Sequence, residues 1–385
     1  MSAAAHAATQ RVAPTDMPFV AVAHDGAARR SRLATTHGTI NTPAFMPVGT
    51  QATVKGLTPA QLRDAGAEII LANAYHLALR PGAALIRELG GLHRFMGWDG
   101  PILTDSGGYQ IFSLAALRKV TDEGVEFRSH VDGAPLFMTP EDVIRLEMDL
   151  GVDIMMVLDE CVPGQATRAE AERAARRTLE WARRARAVPI APGQLMFGIV
   201  QGATYADLRC EQAQALVALD FPGYAVGGLS VGEDRAITME LAEATVAGLP
   251  ADRPRYLMGV GLPEDLIRFV GMGYDMFDCV LPTRNGRNGM LFTSAGRLNI
   301  RLARYTRDES PADPHCGCYT CRTFSRAYLR HLAASGEMLG AQLASLHNVY
   351  FYQELMRDMQ AAIAGGRFAA WAAERLAGLT TEVEP

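Results

Sequence analysis

Three aspartates and one glutamine occupy similar places in the sequence, each at or near the end of a short apolar run. The runs are PILTDS, VDIMMVLDE, LMFGIVQG and DMFDCVLPT, and the four residues are Asp105, Asp159, Gln201 and Asp278. A turn or a helix cap is the usual role of one polar residue in such a place. Three carboxylates and an amide that converge on one rim would instead indicate an active site.

A cluster of thiols in the last quarter of the chain indicates a metal site. Three of the six cysteines share the segment HCGCYTC, and they are Cys316, Cys318 and Cys321. Thiolates this close repel one another unless a cation neutralises them, and three sulfurs with one imidazole form a closed, structural zinc site. His315, His331 or His347 could supply the imidazole. We favour His347, because the chain can return there after an intervening helix. Three buried, reduced cysteines are the alternative.

The apolar runs that carry the polar residues belong to a set of eight β-prone segments. The expected strands cover 43–50, 68–75, 101–106, 152–160, 195–202, 224–230, 255–261 and 275–283. These segments are almost continuously hydrophobic rather than alternating, which is typical of parallel strands covered on both faces.

Start and stop signals for helices lie between these strands. Thr58, Thr139 and Thr167 have the pattern of helix N-caps, and Gly66 and Gly151 the pattern of helix ends. Strand and helix alternating eight times predict an α/β protein, a (β/α)8 or TIM barrel, whose chemistry lies at the C-terminal ends of the strands. The residues expected at those ends are Asp105, Asp159, Gln201, Gly227, Gly228, Leu229, Met258, Gly259 and Asp278.

Composition limits the classes of function. The 385 residues carry a formal net charge of −5, which argues against a surface that binds nucleic acid everywhere. Between Arg284 and Arg330, however, nine arginines face three acids, which is either a solvated surface or a basic patch.

No apolar run reaches the length of a membrane span, and the N-terminus has no secretory pattern. Sparse cysteines predict a reducing, cytoplasmic location. Residues 1–16 are expected to be disordered.

Six motifs together resemble those of the queuine-type tRNA-guanine transglycosylases. They are LTDSGGYQ (103–110), MMVLDEC (155–161), GIVQG (198–202), GGLSVGE (227–233), DMFDCVLPTRNGRNG (275–289) and CGCYTC with a later HN (316–348). The similarity runs from about Phe19 to the end of the chain and is to the bacterial form. That form exchanges guanine at the wobble position of the tRNA anticodon for the pre-queuosine base, 7-aminomethyl-7-deazaguanine, in queuosine biosynthesis.

The resemblance implies a role for two of the strand-end carboxylates. Asp278 would be the nucleophile that attacks the ribose anomeric carbon and forms a covalent RNA–aspartyl intermediate. Asp105 would protonate the departing guanine and deprotonate the incoming base, following the logic of a retaining glycosidase. A helix cap is the alternative role for Asp105, because Asp-Ser-Gly-Gly also has a turn pattern.

The resemblance also implies a base-binding pocket. Asp159 would accept hydrogen bonds from the ring N–H and amino group of guanine, and Gln201 with the Gly228 amide would donate to its carbonyl oxygen. The Leu229 carbonyl would read the aminomethyl group, and Tyr109 and Met258 would sandwich the base. The whole expected set is Ser106, Gly107, Gly108, Tyr109, Asp159, Cys161, Gln201, Gly228, Leu229 and Met258. Cys161 and Val231 fit the bacterial pocket.

Further residues are implied to hold tRNA and metal. The expected tRNA-binding residues are Gly259, Val260, Gly261, Leu262, Pro263, Glu264, Asp265, Thr283, Arg284, Asn285, Gly286 and Arg287. One structural Zn²⁺ per subunit would lie in an inserted zinc-binding subdomain near the C-terminus, held by Cys316, Cys318, Cys321 and His347. The expected organisation is a catalytic barrel over 17–385, which includes a zinc and tRNA region over 284–348. A homodimer is expected around Phe324, Tyr328 and His331.

Three other functions compete with this interpretation. A non-catalytic RNA-binding partner is disfavoured because Asp105, Asp159 and Asp278 are all present. A zinc-dependent barrel hydrolase or deaminase needs histidines at strand ends, and only His76 lies near one. An archaeal-type transglycosylase usually carries additional C-terminal domains.

Overall fold

A computed structural model describes residues 18–108, 118–129 and 133–380, so the expected disordered segment 1–16 lies outside the described residues. Its strands are β1 (Phe19–Asp25), β2 (Ala28–Thr35), β3 (Gly38–Thr42), β4 (Ala44–Gly49), β5 (Ile70–Asn73), β6 (Ile102–Asp105), β7 (Arg118–Val120), β8 (Val125–Arg128), β9 (Pro135–Met138), β10 (Ile154–Met156), β11 (Leu195–Val200), β12 (Gly223–Val226), β13 (Arg255–Leu257), β14 (Met276–Cys279), β15 (Met290–Thr293) and β16 (Gly296–Asn299).

The α-helices of the described residues are α1 (Pro59–Asp64), α2 (Ala74–Leu79), α3 (Ala83–Glu88), α4 (Gly91–Met96), α5 (Pro140–Leu150), α6 (Arg168–Arg186), α7 (Ala206–Val217), α8 (Arg235–Ala247), α9 (Pro263–Gly271), α10 (Leu281–Arg287), α11 (Tyr319–Thr323), α12 (Arg326–Ser335), α13 (Met338–Ala364) and α14 (Phe368–Thr380). A 3₁₀ turn covers Ala303–Arg307. None of these helices combines the length and the hydrophobicity that a bilayer crossing requires.

A closed barrel of eight parallel strands forms the centre of the molecule. Around the barrel the strands follow the order β4, β5, β6, β10, β11, β12, β13 and β14, and β14 pairs with β4 to close it. Each strand corresponds to one of the eight predicted segments, so the (β/α)8 barrel is confirmed. The barrel strands consist almost wholly of buried residues, in agreement with their continuous hydrophobicity.

Three predicted helix starts are also confirmed. Thr58, Thr139 and Thr167 each accept a hydrogen bond from the backbone N–H three residues later, and the backbone N–H of each donates to the side chain of that same residue. These capping boxes satisfy backbone donors that the first helical turn leaves unpaired. Gly151 ends α5 with φ of 71°, a left-handed conformation that glycine adopts without steric cost.

An antiparallel sheet of β1, β2 and β3 precedes the barrel and was not predicted. Most residues of β1 are exposed or half-buried, so buried and exposed positions do not alternate along it. The sequence of this strand therefore gives little periodic signal. Arg29 of β2 joins this sheet to the barrel through a buried ion pair, with its Nε 2.8 Å from Asp275 Oδ1. Two further antiparallel elements, β7–β8–β9 and β15–β16, were likewise not predicted.

The region after β14 packs on the long helix α13. It has its own hydrophobic cluster, whose members include Leu291, Leu298, Leu329, Leu332 and Leu343. Gly286 of α10 is buried against α13, where a β-carbon would lie 2.7 Å from Ser345 N. The glycine therefore permits close contact of two helices, and its expected contact with tRNA stays a prediction.

Candidate active site

A cavity of about 350 Å³ opens at the C-terminal ends of the barrel strands. Its lining contains all nine residues predicted at those ends, namely Asp105, Asp159, Gln201, Gly227, Gly228, Leu229, Met258, Gly259 and Asp278. Ser106, Cys161 and Val231 also line it. The parallel topology therefore brings Asp105 and Asp278, which are 173 positions apart in sequence, into one cavity.

Asp278 lies on β14 with its two carboxylate oxygens in different surroundings. Oδ1 accepts hydrogen bonds from the Tyr256 hydroxyl at 2.6 Å and from the Gly259 N–H at 2.8 Å. Among the described residues, none donates a hydrogen bond to Oδ2. Burial raises the pKa of Asp278, while the bonds from Tyr256 and Gly259 act in the opposite direction. The carboxylate is thus oriented through one oxygen and can react through the other.

Asp105 ends β6 beside Asn73, its register partner on β5. The Asn73 Nδ2 donates to Asp105 Oδ2, and the Ala74 N–H donates to Oδ1 at 3.1 Å. The second bond comes from the first residue of α2, so Asp105 also satisfies a helix N-terminus. This helix precedes Asp105 in the chain, so the contact differs from the cap that the Asp-Ser-Gly-Gly turn suggested, and Asp105 makes it while lining the cavity.

Asp159 is buried, and polar neighbours hold both of its oxygens. The Ser106 hydroxyl donates to Oδ1 at 3.1 Å and the Gln201 amide donates to Oδ2 at 2.6 Å. Burial raises the pKa of Asp159, and the two hydrogen bonds oppose that rise. Gly108 approaches so closely that a β-carbon there would lie 2.5 Å from Oδ1. A ligand with two adjacent donors can replace Ser106 and Gln201 as partners of this carboxylate.

The segment after β12 is held in place by a buried arginine. Arg209 of α7 donates to the carbonyl oxygens of Ala203, Gly227 and Gly228, at 2.7, 3.0 and 2.8 Å. Burial lowers the pKa of Arg209 to about 10, so the guanidinium is charged at neutral pH. Gly228 has φ of 64°, and a side chain there would collide with Gln201. These constraints fix the backbone that carries the Gly228 N–H and the Leu229 carbonyl.

The remaining pocket residues differ in how far the structure describes them. Cys161 is buried, and Met258 is partly buried in the cavity wall. Gly107 has φ of 80° and packs against Tyr75, where a β-carbon would be 3.0 Å from the tyrosine Cβ. Tyr109 lies outside the described residues. Cys279 ends β14 and also lines the cavity.

The thiol cluster converges on one imidazole. The sulfurs of Cys316, Cys318 and Cys321 lie 3.7, 3.5 and 3.2 Å from Nδ1 of His347. His347 Nε2 is 2.8 Å from the Phe292 carbonyl oxygen, which can only accept, so Nε2 carries a proton and Nδ1 is the nitrogen that faces the thiols. Ligands of a tetrahedral zinc ion are separated by about 3.6 Å, given Zn–S and Zn–N bonds of about 2.3 and 2.0 Å. The cluster could therefore hold a metal ion.

Comparison with known proteins identifies the family. The model of the family described as queuine tRNA-ribosyltransferase matches residues 25–381. The chain belongs to this family. It is 58% identical to the queuine tRNA-ribosyltransferase of Solidesulfovibrio magneticus over 91% of this chain and 94% of that protein. For the proteins of that name from Methylobacillus flagellatus and Aromatoleum aromaticum the identities are 53% and 54%, over 93% and 95% of this chain and 97% and 99% of theirs.

Membership of the queuine tRNA-ribosyltransferase family makes the chain an enzyme and confirms the predicted resemblance. The RNA contacts that the sequence predicts lie at the rim beyond the cavity. Arg284 of α10 is exposed, Asn285 and Arg287 are half-buried, and Thr283 is buried. Arg284 follows Asp278 by six residues, so the exposed guanidinium and the cavity belong to one continuous segment.

The second predicted RNA-contacting segment, 259–265, is largely occupied with contacts inside the chain itself. Glu264 forms an ion pair with Arg297 at 2.9 Å, and Asp265 accepts a hydrogen bond from Arg235 at 2.8 Å. Val260, Gly261 and Pro263 are buried, Leu262 is half-buried and Gly259 is exposed. The segment thus shapes the rim through its backbone, and its contact with RNA stays a prediction.

Three residues of the site were missed by sequence reasoning. Asn73 ends its strand and could have been found by the same strand-end argument as Asp105. Tyr256 lies two residues before Met258, so strand periodicity places both on one face, which was a usable signal. Arg209 lies within a helix and gave no signal, because its carbonyl partners are set by the tertiary structure.

Proposed function

We propose that this enzyme exchanges guanine at the wobble position of a tRNA anticodon for 7-aminomethyl-7-deazaguanine, in queuosine biosynthesis. The observation that carries the proposal is the arrangement of Asp278 in the barrel cavity. One oxygen is fixed by Tyr256 and Gly259, and the other accepts no hydrogen bond from the described residues. A fixed carboxylate with one available oxygen suits nucleophilic attack on a sugar carbon.

The exchange proceeds by two displacements at the ribose anomeric carbon. In the first, Asp278 Oδ2 bonds to C1′ while the bond from C1′ to guanine N9 breaks, and Asp105 gives a proton to the leaving guanine. In the second, Asp105 takes the N9 proton of the incoming base, N9 bonds to C1′, and the bond from C1′ to Asp278 breaks. Asp105 recovers its proton, and two inversions restore the original configuration.

Base recognition rests on groups around Asp159. The ring N–H and amino group of guanine or its 7-deaza analogue are adjacent donors, and they replace Ser106 and Gln201 at the two oxygens of this carboxylate. Once released, the Gln201 amide donates with Gly228 N–H to the base carbonyl. The Leu229 carbonyl accepts from the aminomethyl group, and Met258 and Tyr109 stack on the two faces. Adenine lacks the paired donors and is excluded.

The tRNA contacts come from the basic rim. The exposed side chain of Arg284 and the half-buried Arg287 bind the nucleotides beside the exchanged guanine, which leaves the base stack to enter the cavity. Exposed Arg301, Arg307 and Arg322 extend the positive surface toward the thiol cluster. A zinc ion held by the three cysteines and His347 would fix this region as a structural element.

The aromatic stripe of Phe324, Tyr328 and His331 is the proposed homodimer contact.

The test is an exchange assay on a tRNA whose wobble guanine is radiolabelled. The purified enzyme is incubated with excess 7-aminomethyl-7-deazaguanine, and free label is counted over time. Wild-type protein is expected to release the label, Asp278→Asn to release none, and the surface variant Asp207→Asn to match wild type. Denaturing gels of the reaction should contain a protein–RNA adduct in wild type and Asp207→Asn, and none in Asp278→Asn.

Other results would assign other functions. Tight tRNA binding without release of label from wild type would indicate the non-catalytic RNA-binding partner. Release that persists in Asp278→Asn at the wild-type rate would remove Asp278 as the nucleophile. Release with queuine but not with the aminomethyl base would correct the substrate and leave the mechanism in place.

A further inference from the structure

A second group of potential metal ligands lies at the other end of the barrel. His37 occupies the turn between β2 and β3, His93 lies on α4, and Asp153 directly precedes β10. Their donor atoms all lie within 4.8 Å of one another. Asp153 precedes its strand, whereas Asp159 follows the same strand into the cavity, so this group is at the opposite rim from the site described above.

Both imidazoles point at the same carboxylate. His37 Nδ1 is 2.8 Å from Asp153 Oδ1, and His93 Nε2 is 3.1 Å from Oδ2. The two rings are stacked, with centroids 3.6 Å apart and planes inclined by 17°. Adjacent ligands around an ion bound at about 2.1 Å lie about 3.0 Å apart in octahedral and about 3.4 Å apart in tetrahedral geometry, so the separations between nitrogen and oxygen are close to those of a metal site.

The surroundings hold the carboxylate and leave one side open. Asp153 is fully buried, and it accepts hydrogen bonds from the Thr36 hydroxyl at 2.7 Å and from the Ile102 N–H at 2.9 Å. The His93 side chain is 12% exposed and that of His37 is 37% exposed. An ion can therefore enter from solvent beside His37, and water can complete its coordination.

We propose that His37, His93 and Asp153 bind a divalent transition-metal ion, separate from any ion at the thiol cluster. Two imidazole nitrogens and one carboxylate favour Zn²⁺, Co²⁺, Ni²⁺ or Cu²⁺ over Mg²⁺ and Ca²⁺, which prefer all-oxygen shells. The ion binds the nitrogen of each ring that faces Asp153, and the proton of each neutral imidazole moves to the other ring nitrogen. The ion links the β2–β3 turn and α4 to the bottom of the barrel, which stabilises the folded state.

The chemistry of the two clusters allows them to be observed separately. Cobalt bound to thiolates gives an intense near-ultraviolet charge-transfer band, which a site of imidazole and carboxylate lacks. The experiment uses an untagged, zinc-loaded full chain, dialysed against a weak chelator and then titrated with Co²⁺. The expected result is visible d–d absorption that saturates at one equivalent, with no thiolate band. Thermal unfolding in the same titration should show a Tm that rises with Co²⁺ concentration.

Variants assign the absorption to these residues. His37→Ala combined with His93→Ala should weaken Co²⁺ binding at least tenfold and abolish the rise in Tm. The matched control is His24→Ala, which removes an exposed histidine from the neighbouring strand β1. Should the double variant fold poorly, His37→Ala alone, on an exposed turn, carries the comparison. Titrated wild type without d–d absorption, or histidine variants that bind Co²⁺ as wild type does, would overturn the proposal.

Discussion

The hydroxyl of Tyr256 lies 2.6 Å from Oδ1 of Asp278, the same oxygen that accepts the Gly259 N–H. Both donors stabilise the ionised carboxylate and so lower the pKa of Asp278, whereas burial raises that pKa. The orientation and the ionisation of Asp278 therefore depend on a tyrosine from the neighbouring strand β13. Tyr256 acts through Asp278 and is a positioning residue.

Replacing Tyr256 by phenylalanine should move the acid limb of the activity profile to higher pH. The lost hydrogen bond lowered the pKa of Asp278, so its removal raises that pKa, and activity disappears at a higher pH as the solution is acidified. A hydrogen bond to a charged group contributes about 1.5–3 kcal/mol, so we expect kcat/KM at neutral pH to fall about 10- to 100-fold. The measurement is a pH profile of exchange for Tyr256→Phe, with Tyr224→Phe as control.

Asp278→Asn should abolish exchange without loss of stability. Because burial raises the pKa of Asp278 in the folded state, the ionised form opposes folding as the pH rises above the ordinary aspartate value. The amide carries no charge and can still accept from Tyr256 and Gly259. We expect Tm at pH 7 to equal or exceed that of wild type. A large fall in Tm, measured by calorimetry, would show that the ionised carboxylate contributes to folding.

Asp159→Asn should impair binding of the base more than binding of tRNA. The amide keeps one acceptor but turns an NH₂ group toward a donor of the base, which leaves both unpaired. Leaving such groups unpaired costs about 1–3 kcal/mol each, so affinity for the aminomethyl base should fall at least tenfold. Calorimetric titration of the base measures this, and gel retardation of tRNA should show little change. An unchanged base affinity would exclude Asp159 from recognition.

Arg209→Met should raise KM for the base while tRNA affinity stays close to that of wild type. The substitution removes donors from Ala203, Gly227 and Gly228, and the carbonyls of the last two belong to the backbone beside the pocket. Each unsatisfied buried carbonyl costs about 1–3 kcal/mol, so Tm should also fall. Arg186→Met, on the surface, is the control. A fall in Tm with an unchanged KM for the base would restrict Arg209 to a structural role.

Loss of the thiol-cluster metal should weaken tRNA binding before it affects the cavity. Cys318 belongs to a hydrophobic cluster separate from that of the barrel, so Cys318→Ser should unfold the region around it first. We expect a lower Tm, loss of one zinc per chain in elemental analysis, and at least tenfold weaker tRNA binding, with base binding retained. Cys210→Ser on α7 is the matched control. Full tRNA affinity in a zinc-free protein would separate the metal from RNA binding.

The barrel and its cavity could be predicted from sequence for one physical reason. Parallel strands buried on both faces leave long apolar runs, and their C-terminal ends must meet, so Asp105, Asp159 and Asp278 could be placed together before any coordinates existed. His347 was predicted as the partner of the three cysteines, in preference to His315 and His331, because the chain can return to the cysteines after an intervening helix.

Other features were not predictable because their partners are remote in sequence. The group of His37, His93 and Asp153 joins a turn, a helix and a strand start, and no local pattern connects them. Helix α10 contains Gly286, a poor helix former, and the glycine is instead explained by its contact with Ser345. The N-terminal sheet was missed because its exposed strands carry little alternation.

Helix α13 ties the region of the thiol cluster to the barrel. Its 27 residues extend about 40 Å. Near its start His347 faces the three thiols, whereas further along Gln353 donates to the Phe45 carbonyl of β4 and Gln360 to that of Pro43. Helix α13 therefore contacts both the thiol cluster and the barrel. An excised 284–348 fragment would lose the second half of α13, which anchors the fragment to the barrel. The region around the thiol cluster is therefore inherited together with the whole barrel, so the two have to evolve as one unit.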